Sequence, residues 1–240
     1  MKKYVKLIGI VWILAGFSFF VYMYFTFMAQ GVNADVHSDT KVVSVTRSSN
    51  FDLFEPNENS KGTIFFFPGA LVDPAAYAPI CRELSLNNYK TYLIHMPWRM
   101  ASLGYQSILE DSLIVKEENN ILIGHSQGAK MAAQFTQEHP ELINGLVLLG
   151  TTHPRDYALT ANDVQVLKIY GGNDQVAPVD KVLLNKVNLP EHTIYEEIDG
   201  GNHSQFGHYG QQIGDGSASI SREKQQEKTI NHILQFLENL

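Results

Sequence analysis

The chain has 240 residues, of which 44% are apolar, 18% charged and 11% aromatic, the proportions of a folded protein rather than a disordered, collagen-like or coiled-coil one. Its formal charge of −7 provides no basic footprint for nucleic acid. A single cysteine, Cys81, excludes an internal disulfide framework and a zinc site built on paired thiolates.

The charge is unevenly spread. The first 34 residues carry three lysines and no acid, so residues 35–240 hold 15 basic and 25 acidic side chains, a net of −10. Lys2, Lys3 and Lys6 precede Leu7–Met28, 22 residues without a charge. At 1.5 Å per residue this run reaches roughly 33 Å, enough for a bilayer core of about 30 Å. The lysines predict residues 1–6 as a cytoplasmic stub and residues 7–28 as a transmembrane anchor, with the rest of the chain on the far side. A cleaved signal peptide is the rival reading, and Val32-Asn33-Ala34 offers small residues for cleavage. The apolar run is longer than the 7–15 residues usual for a signal. No cysteine follows it to carry a lipid. Residues 29–41 are polar and aperiodic and read as a linker, leaving 42–240 as one domain.

Within that domain Val42–Thr46 and Phe51–Glu55 read as two strands joined by a polar turn. Short apolar runs follow at Thr63–Phe67, Lys90–Ile94, Ile121–Gly124, Gly145–Leu149, Val166–Tyr170 and His192–Ile198. Several lack in–out alternation, which predicts strands covered on both faces. Segments of helical character lie between them, at Pro74–Leu86, Gln106–Lys116, Gln127–Glu138, Val179–Val187 and Ser221–Leu240. This alternation predicts an α/β fold, a mostly parallel sheet with helices on both faces. Cys81 falls in the first of these helices beside Ile80 and Leu84, where a small buried apolar side chain is expected. Chemistry in such sheets lies beyond the carboxyl ends of the strands.

At one such end stands Gly124-His125-Ser126-Gln127-Gly128, a G-x-S-x-G motif between a strand and a helix. That is the context of a nucleophile elbow. Three fixed positions arise by chance in about one chain in ten of this length, so the context and the partners downstream carry the assignment. Serine needs a positioned base, and the base an orienting carboxylate. Strand Val166–Tyr170 leads into Gly171-Gly172-Asn173-Asp174, and strand His192–Ile198 into Asp199-Gly200-Gly201-Asn202-His203. Asp174 is the expected acid and His203 the expected base, with His208 the rival base and Asp199 and Asp215 the rival acids. The oxyanion requires two donors. Gln127 N–H is expected as one and Ala70 N–H, in the loop after Thr63–Phe67, as the other, with Leu71 next.

Phe67-Pro68-Gly69-Ala70, the Gly124–Gly128 elbow, Gly171–Asp174 and His203 together resemble the α/β-hydrolase superfamily over almost all of residues 42–240. Gly200–Arg222 looks like a narrower group of small bacterial α/β hydrolases, often membrane-anchored. The overall plan is also similar to dienelactone hydrolases and carboxylesterases. Dienelactone hydrolases carry a cysteine in the elbow, so Ser126 departs from them. The resemblance implies a serine hydrolase acting on small ester or acyl substrates, most simply carboxylic esters, without metal or cofactor. The same residues would serve an acyltransferase, or a catalytically silent hydrolase fold used as a binding module. Only 15 residues lie between Gly150 and Val166, too few for a multi-helix cap, so an open site is expected. The glycine-rich Ser204–Ser219 either folds over the site or only links it to the last helix. Trp98, after another strand end, lines the pocket or, as is commoner, packs. No P-loop, G-x-G-x-x-G or H-E-x-x-H is present.

Overall fold

A computed structural model describes residues 2–160 and 163–240. Helix α1 spans Lys2–Phe27, and 24 of its residues, Tyr4–Phe27, form a helix long and apolar enough to cross a membrane. That length and composition suit a membrane span or an export signal alike. The side chains of Lys2 and Lys3, on which the orientation of this segment partly rests, lie outside the described residues.

Eight strands follow: β1 (Val43–Arg47), β2 (Phe51–Pro56), β3 (Thr63–Phe67), β4 (Lys90–Ile94), β5 (Asn120–His125), β6 (Gly145–Leu149), β7 (Gln165–Gly171) and β8 (Ile194–Ile198). They form one sheet in the order β1-β2-β4-β3-β5-β6-β7-β8. The two pairings made by β2 are antiparallel and all others parallel. Every residue of β3, β5 and β6 is buried, as expected of strands covered on both sides. Alternate residues face opposite ways. Ile64, Phe66, Ile121 and Ile123 pack with α2 (Ala78–Leu86) and α6 (Arg222–Leu237), whereas Phe65, Phe67 and Leu122 pack with α4 (Gln127–Glu138). Cys81 is fully buried on the α2 side.

Three expected elements differ. The helix foreseen over Gln106–Lys116 is the single turn α3 (Ser107–Glu110). Ser112 takes φ 55°, and the N–H groups of Leu113 and Ile114 both turn back to Ile108 O. The helix foreseen over Val179–Val187 is α5 (Val179–Leu184) followed by a 3-10 turn at Asn185–Asn188. Strand β8 starts at Ile194 because Thr193 spends both its N–H and its hydroxyl on Pro190 O.

Residues 29–41, read as a linker, are docked on the sheet domain. Asn33 caps a 3-10 turn at Ala34–His37, Val36 is buried in the main core, and Arg82 donates to the carbonyls of Val36 and Ser38 at 2.6 and 2.9 Å.

Candidate active site

The parallel strands all point their carboxyl ends to one edge, and the loops after β5, β7 and β8 there supply the residues of interest. The first is the β5–α4 turn. Ser126 has φ 54° and ψ −115°, a conformation that costs a non-glycine residue on the order of 1–3 kcal/mol. Its N–H is held by Leu149 O at 2.9 Å. The two glycines of the motif explain why the turn closes. A Cβ at Gly124 would come within 2.5 Å of Ala129 N, and one at Gly128 would land on the Phe67 carbonyl oxygen. Only glycine lets helix α4 sit so close to β3 and β5 while Ser126 points out of the turn.

Asp174, in the loop after β7, is buried. One carboxylate oxygen accepts from Val176 N–H (2.8 Å) and Ala177 N–H (2.6 Å). The other lies 2.8 Å from His203 Nδ1. A carboxylate only accepts, so Nδ1 carries the ring proton and Nε2 is left as the basic nitrogen. His203 is itself buried, and its Nε2 meets no partner among the described residues.

The rivals have other places. Asp215 accepts from His203 N–H (3.2 Å), Ser204 N–H (2.8 Å) and the Ser204 hydroxyl (2.7 Å), so it braces the histidine loop by its backbone. Asp199 is exposed. His208 lines a separate cavity with Arg82 and Gln226, and burial lowers its pKa.

Two cavities meet at Ser126 and His203. One, of about 300 Å³, adds Gln127, Lys130, Gly150–His153 and Arg155. The other, of about 220 Å³, adds Gly69–Val72, Tyr209 and Gln212, together with Met23 and Phe27 of α1. The segment after His203 therefore folds over the site, with Phe206 and Tyr209 buried. No helix stands between β6 and β7 among the described residues. The loop there contributes His153, whose pKa falls to about 4 through burial and then the charges of Arg155 and Lys130.

A network the sequence reading missed runs behind the turn. Gly69 N–H donates to Tyr77 Oη at 3.2 Å, so the Tyr77 proton goes to His125 Nδ1 at 2.8 Å. Burial, and then His203, hold the His125 pKa well below its usual value. The imidazole is neutral and can accept. The loop carrying Ala70 is thus tied to the residue before Ser126.

Residues 63–227, more than half of the chain, match the model of the alpha/beta hydrolase family. The chain belongs to that family. No sequence among the curated proteins matches it. Among solved structures it is similar to MGS-MChE2, an alpha/beta hydrolase enzyme from the metagenome of sediments from the lagoon of Mar Chica, Morocco, with a TM-score of 0.58 and 16% identity over 81% of this chain and 98% of that one. It is similar as well to the carboxylesterase CesB (YbfK) from Bacillus subtilis, with a TM-score of 0.55 and 12% identity over 85% and 93% of the two chains. Likenesses at such low identity show the fold alone. For an α/β hydrolase, the strand-end site is where the chemistry is expected.

Proposed function

We propose that the protein is a membrane-tethered, extracytoplasmic serine hydrolase that cleaves carboxylic esters through Ser126, His203 and Asp174. The observation that carries this reading is the buried His203–Asp174 pair, at 2.8 Å, sharing two cavities with a serine on a left-handed turn. Ser126 Oγ attacks the ester carbon while His203 Nε2 takes its proton. The imidazolium so formed is stabilised by Asp174, which is fixed by two backbone N–H groups. The tetrahedral intermediate collapses, and His203 returns the proton to the departing alcohol. Water then repeats the sequence on the acyl-enzyme, releasing the acid and restoring Ser126.

The oxyanion is held by Gln127 N–H and Ala70 N–H. The neighbouring donors support that choice. Gly69 N–H is spent on Tyr77 and Leu71 N–H on Arg99 O at 2.7 Å, whereas no acceptor meets Ala70 N–H among the described residues. Gln127 opens helix α4, so its N–H has no partner within the helix. Helix α1 supplies the tether: its apolar run, after Lys2, Lys3 and Lys6, stays in the bilayer with its N-terminus cytoplasmic.

The test is covalent. The full chain in detergent is expected to label with a fluorophosphonate probe and to hydrolyse p-nitrophenyl butyrate, and Ser126→Ala is expected to abolish both. Labelling that survives the substitution refutes the assignment.

A further inference from the structure

The foot of α1 belongs to the site. Thr26 and Phe27 are buried, and the Phe27 ring stacks on Tyr209 with centroids 5.9 Å apart. The last carbonyls of a helix lack partners within it. Here Thr26 O accepts from Gly210 N–H and Phe27 O from Asp73 N–H, both at 2.8 Å. Those donors flank the loops that carry His203 and Ala70. A helix serving only as a leash has no reason to be fused to both.

The cavity beside Ser126 that contains Met23 and Phe27 does not end there. Met23, Phe27 and Leu71 also line an apolar groove of about 720 Å³ that runs up α1 to Gly16, with Phe19, Phe20 and Trp98 on its walls. From Gly16 to Phe27 a helix rises about 16 Å, half of a hydrocarbon core of about 30 Å. The groove is therefore as deep as one leaflet. Trp98 is 86% exposed, on a backbone where Trp98 and Arg99 both have φ near 55°. Leu71 and Leu103 are exposed nearby. Holding an indole out into water on strained backbone gains nothing, whereas the membrane interface favours it. Arg99 clamps this loop to the helix foot through Asp73 at 3.2 Å and Met28 Sδ at 3.6 Å.

The cavity on the other side of Ser126 has cations on its wall. Lys130 and Arg155 line it without an ion pair among the described residues, in a region of the chain whose net charge is −10. Arg155 directs Nη2 onto neutral His153 at 2.9 Å.

We propose that the substrate is a long-chain acyl ester of the outer leaflet, its chain lying in the groove between α1 and Leu71–Trp98 and its alcohol portion carrying an anionic group to Lys130 and Arg155. This deepens the hydrolase reading and rests on it. Hydrolysis balances as above: the Ser126 Oγ–acyl bond forms, the acyl–alcohol bond breaks, His203 passes the serine proton to the leaving alcohol, and water releases the fatty acid.

The test uses the full chain in vesicles of diether phosphatidylcholine, whose own chains cannot be hydrolysed. The probes are 1-oleoylglycerol 3-phosphate, 1-oleoylglycerol, their butyryl counterparts and p-nitrophenyl butyrate. Burying a longer chain is expected to raise kcat/KM for oleoyl over butyryl esters by at least about tenfold. Met23→Trp, at the neck of the two cavities, is expected to abolish that ratio. Lys130→Gln with Arg155→Gln is expected to remove a preference of about tenfold or more for phosphate over neutral head group. Equal rates for both chain lengths, or a ratio untouched by Met23→Trp, overturn this proposal while the hydrolase stands. A wild-type chain whose turnover of p-nitrophenyl butyrate is absent, or is unchanged by Ser126→Ala, overturns both. A second measurement does not depend on those variants. Trp12 and Trp98 are the only tryptophans, so in Trp12→Phe the Trp98 emission is expected to be quenched by brominated acyl chains in the vesicle. Emission indifferent to them overturns the proposal.

Discussion

Removing one oxygen from Tyr77 tests the link between the loop of Ala70, proposed to hold the oxyanion, and the turn of Ser126, the proposed nucleophile. The Tyr77 ring is buried and packs on Phe66 with centroids 5.0 Å apart, so Tyr77→Phe keeps the shape and deletes only the hydroxyl. Burial raises the Tyr77 pKa and lowers that of His125, so the bridge at neutral pH is a neutral hydroxyl between an N–H and an imidazole lone pair. Its loss strands the Gly69 N–H and His125 Nδ1, both buried. A buried polar group left unpaired costs about 1–3 kcal/mol, so two of them, taken at about 1.5 kcal/mol each in the lower half of that range, amount to about 3 kcal/mol. For a domain of this size each kcal/mol moves Tm by about 2–4 °C, giving a fall of about 6–12 °C in a thermal melt of the full chain in detergent. The stranded Gly69 precedes Ala70, so kcat for p-nitrophenyl butyrate is expected to fall about tenfold below the melting range, a fraction of the loss from deleting an oxyanion donor outright. A Tm within about 2 °C of the wild type together with unchanged kcat would refute the reasoning.

Gly128→Ala is expected to prevent stable folding or to destabilise the domain by more than about 4 kcal/mol, because the added methyl occupies the position of the Phe67 carbonyl and backbone cannot yield there; a melt near the wild-type value contradicts this. Asp174→Asn is expected to lower kcat by about 10⁴, whereas Asp215→Asn, which loosens the backbone of His203 and Ser204 and the Ser204 hydroxyl but touches no imidazole nitrogen, is expected to lower it by about tenfold, and equal losses would mean that the orienting acid has been misassigned. Lys168 is fully buried in β7, with its ammonium on His153 O at 2.6 Å, and burial alone lowers its pKa to about 7. The unfolded lysine titrates near 10.4, so between about pH 7 and 10 the unfolded state binds more protons. The stability of the wild type relative to Lys168→Met should then rise across that window and be flat below it; a difference that falls or stays constant with pH, measured by urea unfolding in detergent, rules out a depressed lysine.

What could be read from the amino acids was what neighbouring residues decide among themselves. The runs TIFFF and GLVLL announce doubly covered strands, and β3 and β6 begin and end where those runs do. The elbow and the strand-end positions of Asp174 and His203 are written within a few residues each. The two glycines flanking Ser126 are explained by contacts with Phe67 and Ala129, the first about sixty residues away, yet the motif alone marks them. Tyr77 bears no such mark: its role depends on Gly69 and His125, eight and 48 residues distant, and by itself it is one more apolar residue before a helix. The same holds for Asp215, indistinguishable by position from an orienting acid until its bonds to Ser204 are seen.

The docking of residues 29–41 was not legible for a related reason. Polarity and lack of period do describe a linker, but docking there rests on scattered small contacts: Ala29, Val32 and Val36 on the core, Gln30 N–H on His208 O, and carbonyls that Arg82 reaches from α2. Trp98, read as lining the pocket or, more commonly, packing, faces outward on the wall of the groove beside α1. Both departures surround the junction of α1 with the sheet domain. Hydropathy divides the chain there into two parts with different surroundings. The hydrogen bonds from Asp73 and Gly210 to the last turn of α1 join what hydropathy divides. A residue such as Met23 then belongs to both, at the end of an apolar span and on the wall of the cavity that holds Ser126. The charge follows the same line. The wall beyond Ser126 gathers Lys130 and Arg155 from a domain of −10, so the apolar and the cationic approaches to the serine lie on opposite sides of it, as the proposed amphiphilic ester requires.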